Sequence, residues 1–386
     1  MKFTVVLSVL VAVAHAAPLI KSLGTTISDS YVVILKDGAS LDGVTQKFNE
    51  IARQREGRSP VLPTITRSFN HIRGFTATAD DALVQELLAL PEVDFIEEDS
   101  ILTAQATQVN PPSWGLIRVA QRAWDLYAGE YTYPDVAGDG VTSYVLDTGI
   151  YFGHNDFAGR AVPGFNAFPG TPDEDQNGHG THVAGVIGGT KFGVAKKVKL
   201  VSVKVLDAQG SGTASGVIAG MDWVRANAAA GQSVVNMSFG GNKSPAIDAA
   251  AQRLFNANIT VIASGGNDVA SGCNTSPAGA SSVFAVAATN DFDKILEAGS
   301  LGPCIDAFAP GFQIHSAWIG NPDASQVVTG SSSAAAHASG ALALYLSQTP
   351  IPTAQGAFDK LISTATPDVV VGNLQGAPNR LLYTLA

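Results

Sequence analysis

Residues 31 to 98 switch between two hydrophobic periods. "YVVILK" (31–36) reads as a strand, and "LDGVTQKFNEIARQRE" (41–56) places its apolar positions at helical spacing. "TITRSFN" and "GFTATA" read as two strands joined by a turn at Arg73-Gly74. Asp80 is placed to cap "DALVQELLAL", Pro91 follows the end of that helix, and "VDFIEED" is a last strand. The order β-α-β-β-α-β predicts a small ferredoxin-like α+β unit with its core over 31–98. Residues 99–113 are small and polar and include Pro111-Pro112, so they read as an exposed linker.

From residue 114 the pattern changes. "VTSYVLD", "VKLVSVKVLD", "SVVNMSF", "ITVIASG" and "SVFAVAA" are almost unbroken apolar runs, suited to strands buried on both faces. Helical stretches alternate with them: "THVAGVIGG", "ASGVIAGMDWVRANAAA" and "PAIDAAAQRLFNANI". Strands alternating with helices predict an α/β fold, a mainly parallel sheet with helices on both faces. In such sheets, functional residues gather at the carboxyl ends of the strands.

Composition narrows the reading. The 386 residues are 46% hydrophobic and 15% charged, enough for one large domain and a smaller one. A net charge of −10 without a basic stripe argues against nucleic acid or an anionic membrane as partner. "MKFTVVLSVLVAVAHAAP" has a cationic start, a short apolar stretch and an Ala-x-Ala site, the pattern of a secretory signal cut after Ala16. A secreted, extracellular protein is therefore expected. On that route Cys273 and Cys304 favour one disulfide over two unrelated buried thiols. The loop it closes corresponds to roughly 3–4 kcal/mol in the chain-entropy account.

Three segments lie where chemistry is expected. "SYVLDTGI" ends a strand at Asp147, "DQNGHGTHVAG" opens a helix at His179, and "GSSSAAAHASG" opens the last long helix. A hydrolytic triad needs a hydroxyl, an imidazole to take its proton, and a carboxylate to hold the imidazole's tautomer. A serine at a helix start also has free backbone N–H groups beside it for a developing oxyanion. Singly, these segments read as a turn, a glycine-flanked histidine and helix-capping serines; together, in the order Asp…His…Ser, they are specific. His182 lies three residues after His179, but the zinc-protease signature needs a glutamate and a four-residue spacing, and Gly180 stands in the glutamate's place. His182 and His337 are expected to be buried packing residues.

On these motifs residues 107–386 resemble a subtilisin-like serine protease of the proteinase K subgroup, and residues 31–98 resemble the inhibitory propeptide of those enzymes. The resemblance implies a signal peptide over 1–16, a propeptide over 17–106 that inhibits and assists folding, and a catalytic domain over 107–386. It implies Asp147 as orienting group, His179 as general acid and base, and Ser332 as nucleophile: the family motif Gly-Thr-Ser-Met-Ala-x-Pro-His, counted from Gly330, puts the nucleophile third. Asn267 in "SGGND" takes the oxyanion role. "QGSGTAS" (Gly210, Ser211, Gly212) and "SFGG" (Ser238, Phe239, Gly240) become the two edges that pair with a peptide substrate, with a preference for apolar or aromatic residues before the cut. The resemblance supports the Cys273–Cys304 bridge. No cofactor for catalysis is implied, but a structural calcium is, held by Asp306 with the carbonyls of Ser281 and Val283. Implied partners are protein and peptide substrates and the chain's own propeptide; the enzyme is expected to be a monomer.

The motif departs from the family at Ser331 (threonine), Ser333 (methionine) and Ala336 (proline). None of these changes removes a reacting group. They motivate an alternative, a catalytically weak or inactive subtilisin-fold protein that binds peptides. Asn236, Asn242, Asn258 and Asn274 begin glycosylation patterns, and Asn236 falls in a strand predicted to be buried.

Overall fold

The structure, a computed structural model, describes residues 16–21, 26–55, 60–100, 105–125, 127–268 and 271–385. The predicted export signal before Ala16 lies outside the described residues. The chain forms two compact units that divide between residues 102 and 103.

The N-terminal unit has the predicted order. Its sheet runs Leu19–Ile20, Val93–Ser100, Thr26–Leu35, Gly74–Thr78, Thr64–Phe69; the first pair is parallel and the rest antiparallel. Helices Leu41–Gln54 and Asp81–Leu88 start at capping side chains: Ser40 Oγ accepts from Gly43 N at 3.1 Å and Asp80 Oδ1 from Leu83 N at 2.8 Å. Their apolar stripes bury Phe48, Leu83 and Leu87 against Val33, Phe75 and Ile96. The Phe48 and Phe75 rings meet edge to face, 5.7 Å between centroids.

The second unit is built on a nine-stranded sheet. Its order is Thr366–Pro367, Arg380–Leu381, Ala307–Pro310, Phe284–Thr289, Thr260–Ser264, Ser233–Met237, Thr142–Asp147, Lys199–Lys204, Ala161–Asn166. All neighbours are parallel except the outermost pair, Thr366–Pro367 with Arg380–Leu381. Each unbroken apolar run becomes a strand because both of its faces are covered. Tyr144, Leu146, Val235 and Met237 pack under helices Ala214–Asn227 and Pro245–Asn256. Val145, Val234 and Ile262 pack on the other face, under helices His179–Gly188 and Ser331–Gln348. The second of these is buried on all sides from Ser331 to Leu346, which explains why it is rich in Ala, Ser and Gly rather than amphipathic.

The linker expectation for residues 99–113 needs correcting. Val93–Ser100 continues as a strand, and Gln105–Val109 forms a second one, antiparallel to Glu130–Pro134. Only part of Gln105–Val109 is covered, so no apolar alternation announced it; its backbone pairing is with a segment more than twenty residues away.

Candidate active site

The strand Thr142–Asp147 alternates faces. Val145 points to the side covered by helices His179–Gly188 and Ser331–Gln348, so Asp147 does too. On the neighbouring strand Val234, Asn236 and Ser238 share that face. The register pairs Met237 with Leu146, which puts Ser238 opposite Asp147, one strand spacing of about 4.8 Å away. Two adjacent strand ends therefore present a carboxylate and a serine carbonyl to the starts of the two helices.

His179 Nδ1 lies 2.7 Å from Asp147 Oδ1, and Thr148 N donates to the same oxygen at 2.8 Å. Asp147 is fully buried while the His179 side chain keeps 28% exposure, so the imidazole is held from behind and open in front. Burial alone would lower the His179 pKa; the charge and hydrogen bond of Asp147 outweigh it, and the net shift is upward from 6.5. The glycines on either side are required by contact. A Cβ on Gly180 would lie 2.2 Å from the Gly149 carbonyl oxygen, and one on Gly178, at φ +109°, would lie 2.4 Å from the Trp318 ring.

A polar layer behind this pair was not singled out from sequence. Asp175 Oδ1 accepts from Thr148 Oγ1 at 2.8 Å, Asn177 N at 2.9 Å and Gly178 N at 3.0 Å, and its Oδ2 accepts from Thr181 N at 2.9 Å and Thr181 Oγ1 at 2.6 Å. It thus joins the start of the His179 helix to the loop after Asp147. Lys204, buried, donates to the Thr148 carbonyl, and desolvation lowers its pKa against the opposing pull of Asp175, Asp207 and Asp147. Asn177 Oδ1 accepts from His179 N at 3.2 Å, and its Nδ2 donates to the Ala208 carbonyl at 3.0 Å. The only sequence signal for Asp175 and Asn177 was their position beside the motif histidine.

Ser332 stands in the first turn of its helix. Its hydroxyl donates to the Ser238 carbonyl at 2.9 Å, and Ser238 Oγ donates back to the Ser332 carbonyl at 2.9 Å. Asn236 Nδ2 donates to Ser238 Oγ at 2.9 Å, and Ser339 Oγ donates to Asn236 Oδ1 at 3.0 Å. Asn236 is fully buried in these bonds, as expected for an unused glycosylation pattern. Asn267 Oδ1 accepts from Ser331 N at 2.8 Å, which fixes the amide so that Nδ2 remains as its donor. Ser331 Oγ accepts from Gly266 N at 3.1 Å, so the serine in the threonine place still ties the helix start to the Asn267 loop. Ser333 Oγ is buried without a hydrogen-bond partner among the described residues, the result of a small polar side chain where the family has a long apolar one.

A cavity of about 320 Å³ opens beside Ser332, lined also by Ser238, Phe239, Gly240 and Asn267. The Gly210–Gly212 loop does not line it; those residues are exposed on a turn held by Asp207, whose Oδ1 accepts from Gln209 N at 2.9 Å and Ser211 N at 3.0 Å. Asn177 connects that turn to the His179 helix. His182 and His337 are buried packing groups: His182 Nε2 meets the Ile314 carbonyl at 2.9 Å and His337 Nδ1 the Ser333 carbonyl at 2.8 Å. Burial pushes their pKa values down to about 3 and about 4. Cys273 and Cys304 form a disulfide, S–S 2.13 Å.

Residues 138–380 match the subtilase family, and residues 30–105 match peptidase inhibitor I9. The chain is a subtilase. It is 38% identical over 375 residues to a cuticle-degrading serine protease of Arthrobotrys oligospora, covering 92% of this chain and 90% of that one. It is 44% identical over 314 residues to an extracellular serine proteinase of Thermus sp., covering 81% and 76%. Among solved structures, a cold adapted subtilisin-like serine proteinase superposes with TM-score 0.68 at 43% identity, over 71% of this chain and 98% of that one. The subtilase is thus a serine protease that needs no cofactor for catalysis, and its N-terminal unit is an inhibitor propeptide.

Proposed function

We propose that this subtilase is a secreted, self-processing endopeptidase in which Asp147, His179 and Ser332 carry the chemistry. The observation that supports this most is the 2.7 Å contact of His179 Nδ1 with a buried Asp147, on the face where Ser238 holds the Ser332 hydroxyl one strand away. Asp147 keeps the Nδ1–H tautomer, leaving Nε2 free to accept a proton. When substrate enters, the Ser332 hydroxyl turns from the Ser238 carbonyl to Nε2 and its oxygen attacks the scissile carbonyl. The proton passes to His179 and then to the leaving amine, giving an acyl-enzyme and a free amino terminus. Water hydrolyses the ester by the same exchange. Asn267 Nδ2 and the Ser332 N–H hold the oxyanion. The turn at Gly210, Ser211 and Gly212 and the segment Ser238, Phe239, Gly240 flank the substrate as pairing edges.

The propeptide ends near Ala106. That cut lies within Gln105–Val109, so pairing with Glu130–Pro134 would keep the new terminus in their two-stranded sheet. Export follows the predicted signal cut after Ala16 and the extracellular character of its Thermus relative. No helix among the described residues is long and apolar enough to cross a membrane. A net charge of −10 disfavours nucleic acid and anionic membranes, and the protease acts as a monomer. No observation favours the inactive alternative.

A structural calcium would be held at Asp306. Asp306 Oδ2 accepts from Ala285 N at 2.8 Å, beside the Ser281–Val283 turn, and burial pushes the carboxyl up to about 6. Asp306 with the Ser281 and Val283 carbonyls would hold the ion, which would neutralise a buried carboxylate.

The test is mass spectrometry of secreted wild type beside Ser332→Ala. Wild type is expected to begin near residue 106, and the variant to keep its propeptide. A variant processed like the wild type overturns self-cleavage by Ser332.

A further inference from the structure

The helix His179–Gly188 has no side-chain cap from the residue before it, which is Gly178. Its first N–H groups are taken up from further away. His179 N donates to Asn177 Oδ1 at 3.2 Å, Gly180 N to Thr148 Oγ1 at 2.9 Å and Thr181 N to Asp175 Oδ2 at 2.9 Å. Two of these three paths end on one carboxylate, because Thr148 Oγ1 itself donates to Asp175 Oδ1. Asp175 is buried and accepts five hydrogen bonds among the described residues; Thr148 and Thr181 are fully buried. Thr148 directly follows Asp147, and Thr181 Oγ1 also accepts from Tyr151 N at 3.0 Å, so the loop after Asp147 is tied to the helix start at both of its ends. A Cβ on Gly149, at φ +111°, would lie 2.8 Å from Asp175 N, so loop and aspartate also pack backbone to backbone.

We propose that Asp175 is a positioning residue: by joining the loop after Asp147 to the first turn of the His179 helix, its carboxylate sets the geometry of the Asp147–His179 hydrogen bond. The proposal rests on the mechanism given above, in which that bond holds the imidazole for proton transfer. Asp147 and His179 stand on separate elements, so their 2.7 Å contact is only as well fixed as the joint between strand end and helix start. A carboxylate is needed at that joint. An amide offers one acceptor, and turning its oxygen to Thr148, Asn177 and Gly178 sets its NH2 against the Thr181 N–H, donor to donor. The charge contributes as well. Against the effect of burial, Asp147 and Asp175 both favour the His179 imidazolium. His182, one turn on, is kept neutral by burial, and Lys204 on the neighbouring strand is drawn to both carboxylates.

The experiment uses processed enzyme, with immobilised wild type removing the propeptide from any variant that does not process itself. kcat and KM for one fluorogenic peptide are followed across pH. Asp175→Asn should lower kcat roughly 10- to 100-fold while KM changes less than about twofold, the pattern of displaced reacting groups with intact substrate binding. Its kcat/KM limb should move to lower pH, because one carboxylate that favours the imidazolium is gone. In an Asp147→Asn background the same change should lower kcat less than about threefold, because the bond it positions is already lost. Thr181→Val removes one donor to the carboxylate and should lower kcat about two- to tenfold, the scale of one hydrogen bond. Thr181→Ser keeps the hydroxyl and should retain wild-type kcat. An Asp175→Asn enzyme that folds with unchanged kcat and limb overturns the proposal. So does an equal loss in the Asp147→Asn background, which would make Asp175 a support of the fold alone. If Asp175→Asn does not fold, Thr181 decides: equal kcat in Thr181→Val and Thr181→Ser overturns the proposal. If wild type cleaves no peptide, or Asp147→Asn is as fast as wild type, the mechanism itself fails.

Discussion

At the scale of single residues, His179 carries the clearest pH consequence. Its pKa is raised above 6.5 although burial works the other way, because Asp147 favours the imidazolium. In the proposed mechanism only neutral imidazole can take the Ser332 proton. kcat/KM should therefore rise with pH through a limb whose midpoint lies above 6.5, and stay high beyond it. Asp147→Asn should move that limb to lower pH and cut kcat by about 10⁴-fold, since the tautomer is no longer held. A pH–rate profile of both proteins checks both points, and an unmoved limb would remove Asp147 from the role. The residues of the proposed triad could be picked out in the sequence because their chemistry is tied to residue type. Asp175 and Lys204 could not, because an aspartate in a turn or a lysine in a strand carries no mark of what it touches. Ser331 shows the same limit: sequence showed a lost methyl, and only coordinates showed its hydroxyl accepting from Gly266 N.

At the scale of elements, period and capping predicted the five central strands of the second unit's sheet and the helices that cover them, but not the strands at its two ends, Ala161–Asn166, Ala307–Pro310, Thr366–Pro367 and Arg380–Leu381. Asp80 caps its helix as read, and the apolar runs of the second unit are strands because both faces are buried. Gln105–Val109 was read as linker because it is a strand made by backbone pairing rather than by an apolar face. The disulfide belongs to this scale. Its two cysteines are separated by 31 positions, and the bridge ties the short turn Gly272–Asn274, just after Asp268, to the segment leading to Asp306. Replacing both cysteines by serine should lower unfolding stability by roughly 3–4 kcal/mol, read from denaturant unfolding of oxidised and variant protein. A loss below about 0.5 kcal/mol would mean the loop is already constrained without the bridge.

At the scale of the whole molecule, buried titratable groups set the pH range of stability. His182 and His337 are neutral in the fold, with pKa values pushed down to about 3 and about 4, against about 6.5 when unfolded. Their contribution is complete above pH 6.5 and is lost as pH falls through that range toward 4. Asp306 acts in the opposite sense. Raised to about 6, without a cation it favours the fold below about pH 4 and loses that contribution as pH rises through 6. Calcium at Asp306 should therefore raise Tm more at pH 8 than at pH 5, and Asp306→Asn should abolish the difference; scanning calorimetry with calcium or chelator measures it. An equal calcium effect in the variant would place the ion elsewhere. Residue order alone carried the two-unit plan, the βα alternation and the three chemical groups, because period and residue type are local properties that survive in one dimension. Which of those groups meet and what stands behind them came only with the fold, because a contact between residues 147 and 179, or 238 and 332, depends on strand register and helix packing that no short window contains.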